Sequence, residues 1–143
     1  MGYIKSLSTI NTLSCFYEEF TVKVGATLTS TFLSTQSFGR ITQQTAAINN
    51  ETYFNFYLSP GAYTFRFLGQ SNATSGISSV YIGGVLVTTL DWYSASTVQN
   101  VLKTFSYTST SAAQKTLSIV VASKNASSTG YGLVLTKISA KLT

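Results

Sequence analysis

The sequence predicts an all-β chain, an antiparallel β-sandwich of jelly-roll type with eight to ten strands. Three observations carry that expectation. Short apolar runs alternate with polar residues at a period of two. Gly, Pro, Asn and Ser punctuate the runs at short intervals. No segment carries the 3.6-residue apolar stripe of an amphipathic helix. Composition agrees, since hydrophobic residues make up 44% and aromatics 13% of the 143 residues. Aromatic and β-branched side chains pack well on a pleated surface. The length is that of one domain, 1–143, with 1–17 an extended arm or first strand.

The elements follow in order. Tyr3 to Tyr17 is Ser/Thr-rich and starts with an extended strand. Glu19 to Val24 alternates, Gly25 interrupts, and Ala26 to Leu33 gives a second strand. Ser34 to Asn50 is polar and reads as a loop or a weak edge strand. Tyr53 to Leu58 and Ala62 to Leu68 alternate cleanly around Ser59-Pro60-Gly61, and read as a hairpin. Tyr63, Phe65 and Phe67 then share one face, with Thr64 and Arg66 on the other. After a loop at Gly69 to Gly76, Ser79–Ile82 and Val85–Val87 flank Gly83-Gly84, a two-residue hairpin signal. Leu90 to Gln99 is a longer connection holding Asp91, Trp92 and Tyr93. Strands follow at Val101 to Tyr107 and Thr116 to Ala122, then a polar loop at Lys124 to Gly130. Tyr131 to Leu142 closes the chain with Leu133, Leu135 and Ile138 inward.

Charge excludes several function classes. Only 9% of residues are charged, and the net charge of +5 comes from nine basic residues against four acids. The bases are spread from Lys5 to Lys141 and form no stripe that would neutralise a row of phosphates, so nucleic acid is not expected as a partner. There is no His, which removes the commonest general base and metal ligand. Glu18 and Glu19 are neighbours and would point to opposite faces of a strand. They are no carboxylate pair of the kind glycoside hydrolysis needs, and Glu51 and Asp91 are far apart in sequence. No phosphate loop or serine elbow appears. No enzyme activity, cofactor or metal site is expected.

Cys15 is alone, so it forms no intrachain disulfide and reads as a small buried apolar residue. No leader-like apolar stretch and no membrane-length apolar run occurs. Met1-Gly2-Tyr3-Ile4-Lys5-Ser6 fits the myristoylation pattern formally, but the Tyr after Gly2 argues for chance. Three glycosylation sequons, at Asn50, Asn72 and Asn125, are expected to be unused.

The best ligand-binding candidates are Asp91, Trp92 and Tyr93, joined by Tyr131 from a later loop edge. A sugar presents axial C–H groups that pack on an aromatic face, while Asp accepts hydroxyl protons. Trp92 has two roles open to it. It is either such a platform or a plug that closes one end of the sandwich, and large aromatics ordinarily bury most of their area.

From Tyr53 onward the segments Ser59-Pro60-Gly61-Ala62-Tyr63-Thr64-Phe65, Val80-Tyr81-Ile82-Gly83-Gly84, Leu90-Asp91-Trp92-Tyr93, and Ser123-Lys124-Asn125 followed by Ser127 to Tyr131 carry a resemblance. The chain resembles jelly-roll domains of the carbohydrate-binding-module or galactose-binding-like kind, which also occur in phage and viral fibre, tail and capsid-decoration proteins. Many such modules hold a structural calcium among several carboxylates. Here Asp91 is the only acid after Glu51, so no calcium site is expected.

Two functions follow from the resemblance and the composition. The first is a non-enzymatic virion protein, a capsid decoration or fibre made in the host cytoplasm. Its partners are other virion proteins or copies of itself, with contact to cell-surface carbohydrate and no membrane insertion. The alternative is a secreted carbohydrate-binding module from a larger enzyme or adhesin. A cytokine-like trimeric jelly roll is a third.

Overall fold

A computed structural model describes residues 48–143 with their side chains, and the strand backbone of 5–6, 12–16, 21–24, 28–31 and 40–43. Five short strands come first: β1 (Lys5–Ser6), β2 (Thr12–Phe16), β3 (Thr21–Val24), β4 (Leu28–Thr31) and β5 (Arg40–Gln43). Seven longer ones follow: β6 (Glu51–Leu58), β7 (Gly61–Ser71), β8 (Gly76–Ile82), β9 (Val85–Asp91), β10 (Val98–Ser109), β11 (Ala113–Lys124) and β12 (Leu133–Leu142). The strand count therefore departs from the expected eight to ten. Segments of two to five residues are too short for periodicity to resolve.

The first sheet runs β1-β6-β11-β8-β9, with β3 also on β6, and the second runs β10-β7-β12-β5-β4, with β2 also on β12. The pairings are antiparallel except β1 with β6. The two sheets face each other across the core as a jelly-roll sandwich. From β6 onward each connection changes sheet, except the β8–β9 hairpin.

That route corrects one expectation. β6 and β7 do not pair as a hairpin: β6 pairs with β11, and β7 with β10 and β12. Ser59-Pro60-Gly61 is a corner between sheets, with Gly61 at a φ of 151°. The inward residues Phe54, Phe56 and Leu58 of β6 face Tyr63, Phe65 and Phe67 of β7 across the core. Phe56 meets Phe65 edge-on at a centroid distance of 6.2 Å, and Phe65 stacks on Phe105 at 5.1 Å. Two aromatic strands on opposite sheets bury both sets of rings, whereas a hairpin would set them side by side on one face.

Other expectations hold. Gly83 and Gly84 have φ of 60° and 80°, the left-handed pair that a tight two-residue hairpin turn needs, and Ile82 pairs with Val85 across it. Leu133, Leu135 and Ile138 are buried. Their parity changes between Leu135 and Ile138 because the register with β7 shifts between Leu135 and Lys137. One extra residue there turns Ile138 and Ala140 inward in place of the odd positions. The stretch 34–50, expected as a loop or a weak edge strand, contains the strand β5, which sits between β12 and β4 and so is not at the edge. Expectations for the burial of Cys15, for Glu18 and Glu19, for the 1–17 arm as a whole and for the Met1–Ser6 pattern lie outside the described residues.

Tyr63 fixes the first corner. Its buried hydroxyl donates to Ser59 O at 2.9 Å, bridging the turn at Pro60 and Gly61. Burial raises its pKa from the ordinary 10.0. The folded chain then holds the phenolic proton more tightly than the unfolded chain. This contribution is complete below pH 10 and is lost as the pH rises through the higher folded value. Tyr63→Phe is expected to cost about 0.5–1.5 kcal/mol at neutral pH and to flatten part of the alkaline loss of stability. Urea unfolding of both forms at neutral and alkaline pH measures this.

Candidate functional site

The end of the first sheet where β8 begins brings three loops together. Ile77 lies opposite Asp91 on β9 and Ser123 on β11, and Gly76 lies opposite Lys124. Asp91 and Asn125 thus flank β8 from its two neighbours. They meet across it: Asn125 Nδ2 donates to Asp91 Oδ2 at 2.7 Å. Asp91 Oδ1 accepts from the Tyr93 amide at 2.9 Å, which turns the chain out of β9. Asn125 Oδ1 accepts from the Ser127 amide at 3.0 Å and shapes the third loop in the same way.

The 72–75 loop completes the cluster. Asn72 Oδ1 accepts from the Thr74 amide and hydroxyl, both at 2.8 Å, and from Ser75 Oγ at 3.0 Å. The backbone of Asn72 bridges to Tyr93, and that of Ser75 to Gly132. The buried Ser128 hydroxyl stands near Ala73 O, Ser75 O and Gly130 O, and having one proton it donates to the nearest, Ser75 O at 2.7 Å. The loops touch backbone to backbone: a Cβ added to Gly130 would meet Thr74 O at 2.9 Å, and one on Gly76 would meet Tyr131 O at 3.0 Å. Side-chain caps shape the loops at this end, over the core that Trp92 closes.

Of the expected residues, Asp91, Tyr93 and Tyr131 are half-buried at this end. The Tyr131 ring lies under Lys124 Nζ at 5.3 Å. Trp92, the first residue after β9, points the other way, into the core. It is 0% exposed, its Nε1 donates to Ser78 Oγ at 3.1 Å, and Lys103 Nζ lies 5.9 Å from its ring centre. Of its two open roles it takes that of plug, and it presents no face to a ligand here. The sequence reading missed Asn125, Asn72 and Ser128. An Asn two residues ahead of a loop amide was the available signal, and the Asn125 and Asn72 sequons obscured it. Asn50, the first sequon, is buried.

Among the described residues no three His, Cys, Asp or Glu side chains come together. At this end Asp91 is the carboxylate, and its oxygens already accept from Tyr93 and Asn125. An amide N–H aimed at the carboxylate is a donor where a hard cation needs acceptors, so this cluster does not fit a calcium ion.

No protein-family model matches the chain, and no curated protein does. Solved structures do match. Xanthan lyase from Paenibacillus is similar with a TM-score of 0.69 and 22% identity, over 91% of this chain and 13% of that one. The chain thus spans a small part of the lyase. A family 35 carbohydrate-binding module from Clostridium thermocellum is similar with a TM-score of 0.67 and 11% identity, over 90% of this chain and 96% of that one. A family 36 carbohydrate-binding module solved with calcium and xylotriose is similar with a TM-score of 0.58 and 13% identity, over 89% and 97%. The likeness is one of fold: the chain is a jelly-roll sandwich of the architecture that carbohydrate-binding modules have.

Proposed function

We propose that the chain is a non-catalytic carbohydrate-recognition domain that works in an extracellular setting. The observation that carries this reading is the near full-length match in fold to isolated carbohydrate-binding modules. The cluster of half-exposed Asp91, Tyr93, Asn125 and Tyr131 at one sandwich end adds to it. Such a cluster offers acceptors, donors and two phenol rings on a fixed frame, which suits a neutral sugar with many hydroxyls. The family 36 neighbour was solved with calcium, and the Asp91 cluster would have to bind its sugar without that ion. The virion role has no counterpart among the three similar structures described above.

Tyr93→Ala and Tyr131→Ala are each expected to weaken glycan binding about tenfold, with small effect on Tm. Titration calorimetry with xylan- and mannan-derived oligosaccharides measures this. Full-strength binding by both variants would remove this end as the site.

Self-association is a second reading, favoured by one observation. β9 and β10 are the outer strands of their sheets, and they carry exposed Val85 and Leu86, and Val98 and Leu102. Such edges are templates for further pairing. Light scattering over a concentration series is expected to show association that Leu102→Lys weakens. A strict monomer at all concentrations would remove the reading.

A further inference from the structure

We propose that the outer face of the first sheet holds a second glycan-binding surface, a groove floored by Ser118 and Val120 that takes a segment of a neutral, linear polysaccharide. The proposal rests on the carbohydrate reading above but concerns different residues.

The register places the groove. Ser118 of β11 lies opposite Tyr53 of β6 on one side and Tyr81 of β8 on the other. Side chains directly opposite share a face, and the neighbours of these three, Phe54, Leu117 and Ile82, point into the core. Tyr53, Ser118 and Tyr81 therefore form an outward row of ring, hydroxyl and ring. The two rings stand two strand spacings apart, roughly 9–10 Å. One row along, Val120 lies opposite Glu51 and Ser79. A cavity of about 210 Å³ is lined by Glu51, Tyr81, Gly84, Ser118 and Val120.

Size and chemistry choose the ligand class. The cavity falls short of the roughly 300–1,000 Å³ of an enclosed small-molecule site. It is a shallow trough that seats about one pyranose ring, with the neighbouring sugars riding over its rims. A small floor beside the half-exposed Tyr81 ring lets a flat ring lie down with C–H groups against that aromatic face, with Tyr53 outside the cavity on the far side of Ser118. The Glu51 carboxylate and the Ser118 and Tyr hydroxyls supply polar partners at the edges. None of the lining residues is Lys or Arg, so the groove offers a phosphate or acidic sugar no cationic partner. The groove lies on a sheet face with its backbone groups already paired, so an added peptide strand has nothing to pair with there. Tyr81 is four residues along β8 from Ile77, the partner of Asp91, so the groove is roughly 13 Å from the loop cluster.

The test is an amide chemical-shift titration of the whole chain with xylohexaose, cellohexaose and mannohexaose. The expected result is saturable shifts at Ser118, Val120 and Gly84 with at least one of them. Tyr81→Ala is expected to weaken those shifts tenfold or more, and Tyr81→Phe to preserve them. Ser118→Tyr, which fills the floor and retains both rings, should abolish them even if Tyr81→Ala folds poorly. Shifts confined to 91–93 and 125–132 would overturn this proposal and leave the function proposed above standing. Groove shifts that survive both Tyr81→Ala and Ser118→Tyr would also overturn it. No saturable shift anywhere would overturn both.

Discussion

Trp92→Ala is expected to lower the stability of the fold by about 3–5 kcal/mol, the usual cost of deleting a large buried aromatic. That is a large share of the 5–15 kcal/mol typical of a domain. Trp92 is fully buried, fills the end of the core beside Gly69, and has its indole N–H satisfied by Ser78. Its removal leaves a cavity and an unpaired buried hydroxyl together. Urea unfolding measures the loss, and Trp92→Phe, which keeps most of the volume, should cost markedly less. A change under about 1 kcal/mol for Trp92→Ala would contradict its role as the plug. The same result bears on function. Any loss of sugar binding in Trp92→Ala should track unfolding and should reappear in variants that unfold the core by other means.

Gly69→Ala is expected to cost about 2–3 kcal/mol and to lower Tm by roughly 10 °C. A methyl at this position would sit 2.4 Å from Val134 O and 3.0 Å from the Trp92 ring. The first contact is with backbone, so the β7–β12 pairing has to move. That pairing is already irregular between Leu135 and Lys137. Gly83→Ala adds a methyl with nothing within 4 Å of it, so its smaller effect reports only the strained left-handed backbone. Thermal unfolding of both variants separates steric conflict from turn strain.

The sequence carried the fold class clearly because alternation survives any choice of partner strand. Tyr53 to Leu58 and Ala62 to Leu68 had to be strands with one apolar face each, and they are. Alternation does not say whether two such strands lie side by side or face to face. The corner at Pro60-Gly61 was therefore misread as a hairpin, while Gly83-Gly84, which allows little else, was read correctly. The inward turn of Ile138 needed a bulge that no residue type announces. At the candidate end, Tyr93 and Tyr131 lie outside the strands as expected, whereas Leu90 and Asp91, expected in a connection, are the last two residues of β9. Trp92 left its role open, since a strand end alternates between core and solvent and one residue of shift exchanges them. Asn125 was hidden because its bond to Asp91 joins residues 34 apart in sequence. The groove at Ser118 was invisible for the same reason, since Tyr53, Ser118 and Tyr81 meet only through the order of strands in the sheet.

The most direct test of carbohydrate recognition is the binding of the labelled chain to an array of immobilised neutral polysaccharides, with xylan, mannan, β-glucan and galactan on one surface. Saturable binding to at least one of them is the expected result, with competition by the matching soluble oligosaccharide and loss in Tyr93→Ala or Tyr81→Ala. Absence of saturable binding to every polysaccharide, by a chain whose unfolding curve shows it to be folded, would contradict the account.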